Sequence, residues 1–105
     1  MIALSLATHS LEITSTAAVS TDYSVAYRDE TPAGRSVSSA VYGNISTATT
    51  TVILAGTGDG QRVVAQMTVR NLSTTTAQGV TFKVLSGSTH YSLSAGYTLQ
   101  PGESV

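Results

Sequence analysis

Residues able to do chemistry are few in this chain and far apart. The two histidines, His9 and His90, lie near opposite ends, each beside hydroxyl residues, and neither forms a His-x-His or His-x-x-x-His pair. A zinc site needs three or four converging ligands, and the chain has no cysteine to supply a thiolate. Both histidines therefore read as surface polar residues. Six carboxylates (Glu12, Asp22, Asp29, Glu30, Asp59, Glu103) fall mostly in polar stretches. A glycosidase-like pair needs one acid in an apolar pocket, and no acid here sits in a run apolar enough to form one. Serine is abundant, yet no Gly-x-Ser-x-Gly elbow occurs. Gly56-Thr57-Gly58-Asp59-Gly60 resembles a phosphate loop only superficially, because it leads into a strand pattern and not into a helix N-terminus. These residues read as a turn. No enzyme, cofactor or metal is expected.

Tyrosine is the remaining recognition residue. Tyr23, Tyr27, Tyr42, Tyr91 and Tyr97 accompany a single Phe82 and no tryptophan. Tyrosines can form a carbohydrate platform or an interface, but in a small β domain they also serve as core residues with hydroxyls at the rim. Core or rim is the expectation for most of them. Tyr42 stands in a weakly patterned segment and is the one expected to face a partner.

The elements that must position these residues are strands. Ser and Thr make up roughly a third of the 105 residues, while Glu, Lys and Gln are scarce. Thr suits strands and Ser suits turns, so the bias points to an all-β chain. Only 10% of residues are charged, the net charge is −1, and the five basic residues are scattered. No basic face for nucleic acid is expected. No segment approaches the run of about 20 apolar residues that a membrane helix needs. The first seven residues lack a basic stretch, and Ser5 breaks their apolar run, so no export signal is expected. Asn44-Ile45-Ser46 and Asn71-Leu72-Ser73 fit the glycosylation acceptor pattern, which a Ser/Thr-rich chain produces by chance.

Alternation places the strands. In residues 63–71, Val63, Ala65, Met67 and Val69 form an apolar row against polar Gln66, Thr68 and Arg70. Tyr23, Val25 and Tyr27 alternate with Ser24 and Ala26, and Val80, Phe82 and Val84 with Thr81 and Lys83. Tyr91, Leu93 and Ala95 alternate with Ser92 and Ser94. Ile2, Leu4 and Leu6, then Leu11 and Ile13, read as one interrupted strand or two short ones. Residues 28–35 hold four of the eleven charged residues and one of the two prolines, and read as an exposed loop. Residues 36–51 lack sustained parity and read as an irregular excursion with room for a short strand. The apolar run 51–55 is expected to form a hairpin with 63–71, and 80–84 a second one, which makes 63–71 a central strand. Short strands separated by Gly/Ser/Thr turns describe an antiparallel β-sandwich, Ig-like or jelly-roll-like, or a partly open barrel, in one domain over 1–105.

The sequence also resembles a family of small β-sandwich virion proteins of tailed bacteriophages. The resemblance is carried by Thr49-Thr50-Thr51-Val52-Ile53, Gln61-Arg62-Val63-Val64, Met67-Thr68-Val69-Arg70-Asn71, Val80-Thr81-Phe82-Lys83-Val84, His90-Tyr91-Ser92-Leu93 and the exit from Tyr97 to Val105. Leu11-Glu12-Ile13-Thr14-Ser15 and Tyr23-Ser24-Val25-Ala26-Tyr27 look like the first strands of such proteins. The resemblance implies a non-enzymatic structural protein of the particle, in capsid decoration, as a minor capsid component, or in the tail and its fibres. It would be made in the host bacterial cytoplasm and reside in the virion. Its partners would be other virion proteins and further copies of itself, a trimer on capsid symmetry being the expectation. A carbohydrate- or host-receptor-binding module at a fibre or tail tip, using Tyr42 and the loop 28–35, is the alternative. Proteins of this kind continue past the Gly-Glu-Ser turn with an apolar strand, so either more chain or a neighbouring subunit is expected to close the sheet after Val105. The expected core is Tyr23, Val25, Tyr27, Val63, Ala65, Met67, Val69, Val80, Phe82, Val84, Tyr91 and Leu93, with Ile2, Leu4, Leu6 and Tyr42 as candidate interface residues.

Overall fold

Alternating apolar residues in short runs, separated by Gly- and Ser-rich turns, give, among the described residues, nine strands and no helix. The structure, a computed structural model, describes residues 2–4, 8–30, 36–56 and 60–105, without the side chains of Ile2 and Ser36. The strands are β1 (Ile2–Leu4), β2 (His9–Ser15), β3 (Thr21–Glu30), β4 (Ser36–Ile45), β5 (Thr50–Ala55), β6 (Gln61–Asn71), β7 (Gln78–Ser86), β8 (Thr89–Ser92) and β9 (Tyr97–Leu99). They form two antiparallel sheets, β1-β6-β3-β4 and β5-β2-β7-β8, with β9 also paired to β7. The chain is an all-β sandwich. Its shared core joins Leu4, Val25, Ile45, Val64 and Val69 of the first sheet to Leu11, Ile13, Ile53, Leu54, Val80, Phe82 and Leu99 of the second.

β6 is central, as expected, but its neighbours are not the hairpin partners from which that place was inferred. β6 pairs with β1 and β3, whereas β5 pairs with β2, and β7 pairs with β2, β8 and β9. The connections β5–β6 and β6–β7 both cross between sheets. The two runs in residues 2–13 likewise separate, with β1 and β2 on opposite layers. Residues 36–45 form a full ten-residue strand at a sheet edge, paired to β3 in unbroken register from Thr21↔Ile45 to Glu30↔Ser36. Its parity is weak because residues 37–40 are exposed whichever way they point. Arg28, Asp29 and Glu30 belong to β3 and not to an exposed loop, and residues 31–35 lie outside the described residues.

Two bulges set which side chains reach the core. Between β3 and β6 the register passes from Ala26↔Gln66 to Tyr27↔Val64, which leaves Ala65 without a partner. An extra residue reverses the alternation beyond it. Met67 and Val69 point inward above the bulge and Val64 below it, while Ala65 is exposed. Ala65 is thus removed from the expected core. Val63 is buried but lies on the opposite face from Val64, in register with Ala3 and Arg28. A second bulge, from Leu11↔Leu54 to Glu12↔Val52, turns both Ile53 and Leu54 inward.

Val25, Val69, Val80 and Phe82 are buried in the core, and Tyr23, Tyr27, Met67 and Val84 pack half-buried against it. Tyr91 and Leu93 are exposed, contrary to expectation. β8 flanks β7 at the sheet margin with all four residues exposed, so its alternation has no opposing layer to bury it. Leu4 is fully buried in the core and is not an interface residue. Leu6 lies outside the described residues. The β7–β8 connection turns on Gly87 at φ +64°, which fits a tight II′ hairpin with Gly at its first central position.

One end of the sandwich is sealed by polar side chains. Thr21, Asn71 and Gln78 are completely buried. Gln78 Nε2 donates to the Ala17 carbonyl (2.8 Å) and to Thr21 Oγ1 (3.1 Å), while its Oε1 accepts from the Thr16 (3.2 Å) and Ala17 (2.8 Å) amides. Asn71 Nδ2 donates to the Thr76 (2.8 Å) and Leu99 (3.0 Å) carbonyls, and its Oδ1 accepts from the Ser73 amide at 3.0 Å. Burial without these partners would cost about 1–3 kcal/mol per group.

Candidate functional site

The register of the first sheet assembles a polar patch on its outward face. Asp22 lies opposite Asn44 on β4 and Arg70 on β6, and Ser24 lies opposite Tyr42 and Thr68. Because side chains alternate faces, these six residues point away from the core while Tyr23, Val25, Met67 and Val69 point into it. Together they line an open hollow of about 530 Å³, bordered also by Tyr23 and Gly43. Tyr42 stands over it with 77% of its surface exposed. Asn44 Nδ2 donates to Asp22 Oδ1 (2.8 Å) and Ser20 Oγ (2.9 Å), which fixes the carboxylate and amide relative to each other. A second hollow of about 340 Å³ adjoins it, with Arg70 on both walls and Leu72, Ser73, Thr74, Pro101 and Gly102 around it. An aromatic face beside a fixed Asp–Asn pair and an arginine can stack on a flat ligand face and hydrogen-bond its hydroxyls.

Tyr42 was the only one of these residues marked by sequence. Asp22, Ser24, Asn44, Thr68 and Arg70 carry a signal only in being the polar parity of their strands, and nothing in the sequence tells which strands lie side by side. Gly43 holds the hollow's floor close. A methyl at this position would collide with the Tyr23 ring, whose hydroxyl end lies against the Gly43 backbone.

The remaining charges of β3, Arg28, Asp29 and Glu30, are engaged at the other end of the same sheet. Arg62 binds Asp29 in two-pronged fashion, Nε to Oδ1 at 2.7 Å and Nη2 to Oδ2 at 3.1 Å. Its Nη1 donates to the Ala55 carbonyl of the second sheet at 2.9 Å, and its guanidinium lies 4.6 Å from the Tyr27 ring centre. Donating to the Asp29 carboxylate raises the Arg62 pKa further, so this cation is permanent. Glu30 accepts from Gln61 Nε2 (3.1 Å) and pairs with Arg28 (2.9 Å), and these contacts, Gln61 first, hold its carboxyl below the usual range. This cluster ties strands and layers together and leaves little charge for a ligand.

The second sheet holds a pair that sequence reasoning missed. Glu12 is 3% exposed, and its Oε1 lies 2.6 Å from Nδ1 of His90, a residue half open to solvent. Glu12 sits between Leu11 and Ile13 on a central strand, and because those two point to the opposite face, the sequence carries no sign of its burial. His90 reaches it across β7. The pair lies outside both hollows. His9 lies on the same strand as Glu12. No family model, curated protein or solved structure matches this chain.

Proposed function

We propose that this chain is a non-enzymatic structural subunit of a bacteriophage particle, made in the host cytoplasm and incorporated in the capsid shell or the tail and its fibres. Its partners are other virion proteins and further copies of itself. The observation that carries this reading is the uncharged, exposed edge strand β4, whose Val37 and Tyr42 stand 57% and 77% exposed. A strand of this length without Lys or Pro is an assembly surface, since free proteins protect such edges. The strand-and-turn resemblance supplies the particle as its setting. Quantitative mass spectrometry of purified virions tests it. A fixed copy number per particle, with loss of particle integrity on deletion, is expected, and absence from virions overturns it.

The hollow beneath Tyr42 favours a second reading, a carbohydrate-binding module at a fibre or tail tip. There Tyr42 would stack on a sugar ring while Asp22, Asn44 and Arg70 bind its hydroxyls. A glycan array showing saturable binding that Tyr42→Ala abolishes supports this reading, and a blank array overturns it.

A further inference from the structure

We infer that β4 pairs with β4 of a second copy, antiparallel and about a two-fold axis, to make one continuous sheet across two chains. The inference does not rest on the virion reading, because the isolated chain tests it.

The direction of the β4 backbone groups follows from hydrogen bonds elsewhere in the sheet. Val69 and Val105 exchange two bonds (3.0 and 2.9 Å), and the Asn71 amide donates to the Glu103 carbonyl at 2.9 Å. Val69 and Asn71 therefore direct their amides away from β3, and Thr68 and Arg70 direct theirs toward it. The Leu72 amide, bonded to the Ser20 carbonyl at 2.9 Å, has the same parity. Along β3 this leaves Tyr23, Val25 and Tyr27 to bond with β4, through their partners Gly43, Val41 and Ser39. Ser38, Ala40, Tyr42 and Asn44 are left with amides and carbonyls aimed off the edge. Among the described residues no strand pairs on that side.

Only an extended chain satisfies such an alternating row, and a second copy fits it in detail. Outward-bonding residues must face outward-bonding residues, so only registers that match even to even are open. The register centred on Val41 sets Ala40 opposite Tyr42 and Ser38 opposite Asn44 of the other copy, each pair exchanging two hydrogen bonds. A ring then faces a methyl, and an amide faces a hydroxyl. On the inward side Val37 meets Ile45 and Val41 meets its own copy. β4 contains no charged residue, so self-pairing opposes no like charges. The pairing is unbulged to its end, which keeps the edge regular enough to extend.

Sedimentation equilibrium of the full chain should give twice the 10.8 kDa of one copy. Ala40→Pro should halve that mass while preserving the circular dichroism spectrum, because the lost amide serves no bond within its own sheet. Val41→Pro, which removes a bond to β3, should instead impair folding. Amide exchange gives an independent reading on the unaltered protein: Ser38, Ala40, Tyr42 and Asn44 should be protected at high concentration and lose protection on dilution. A monomer at millimolar concentration, a trimer, a dimer that persists in folded Ala40→Pro, or unprotected even-numbered amides at every concentration overturns the inference.

Discussion

Two asparagines, Asn71 and Asn44, sit at the same end of one sheet and show opposite treatments of a polar group. Asn71 is completely buried, with both amide hydrogens and its oxygen bonded to backbone of residues 73–99. Asn44 is exposed on the edge strand, holding Asp22 and Ser20 while its own backbone faces outward. Where water is excluded, the chain satisfies each group internally. At β4 it leaves hydrogen-bonding capacity available to something outside. Internally satisfied and outward-facing hydrogen-bonding groups therefore fall on different strands of one sheet.

This contrast can be broken at the sealed end first. Asn71→Leu keeps the branched outline of the side chain but leaves two carbonyls and an amide without partners, and should cost about 3–5 kcal/mol in urea unfolding. If the loss is below about 1 kcal/mol, the seal is not what holds that end. Gly43→Ala probes the boundary between the regions. Its methyl must displace the Tyr23 ring, at about 1–3 kcal/mol, and the shift should also reach the hollow. Nuclear magnetic resonance shifts at Tyr42 and Asn44 would report it.

Glu30 tests the far end of the same strands through pH. Its carboxyl is held below the ordinary range of about 4.3, so the folded state favours the charged form. That contribution is complete above this range and disappears as pH falls through the depressed value. The melting temperature of Glu30→Gln should therefore trail the native chain slightly at pH 7 and converge with it in acid. A gap that widens on acidification would contradict the assignment. Tyr42→Ala should change stability least, within about 0.5 kcal/mol, because the ring is solvent-exposed. A large loss in thermal unfolding would place Tyr42 with the structural residues instead.

Strand parity was legible in sequence wherever a strand has a layer beneath it. Val25, Val69, Val80 and Phe82 follow it and are buried. It failed where that condition lapses. Tyr91 alternates correctly on a margin that nothing covers, and Ala65 falls on a bulge that reverses the count. β4 was nearly illegible because an edge strand needs few apolar residues, and its identity comes from ten register pairs with β3. Neighbour relations were the largest gap. Sequence order suggests β5-β6-β7, whereas the sheets place β6 between β1 and β3. The hollow under Tyr42 depends on those relations, so only its aromatic member stood out. Glu12 was hidden because a polar letter between Leu11 and Ile13 reads as solvent-facing until a neighbouring strand supplies His90.

The seal around Asn71 also bears on how the molecule ages. Asparagine deamidates when the next backbone nitrogen attacks its side-chain carbonyl, and here the Leu72 nitrogen is engaged with the Ser20 carbonyl. The product, an aspartate, would face the Thr76 and Leu99 carbonyls with acceptors where donors are required. The folded chain thus guards an amide whose chemical loss would open its sealed end, and copies that unfold even briefly are the ones in which that slow damage begins.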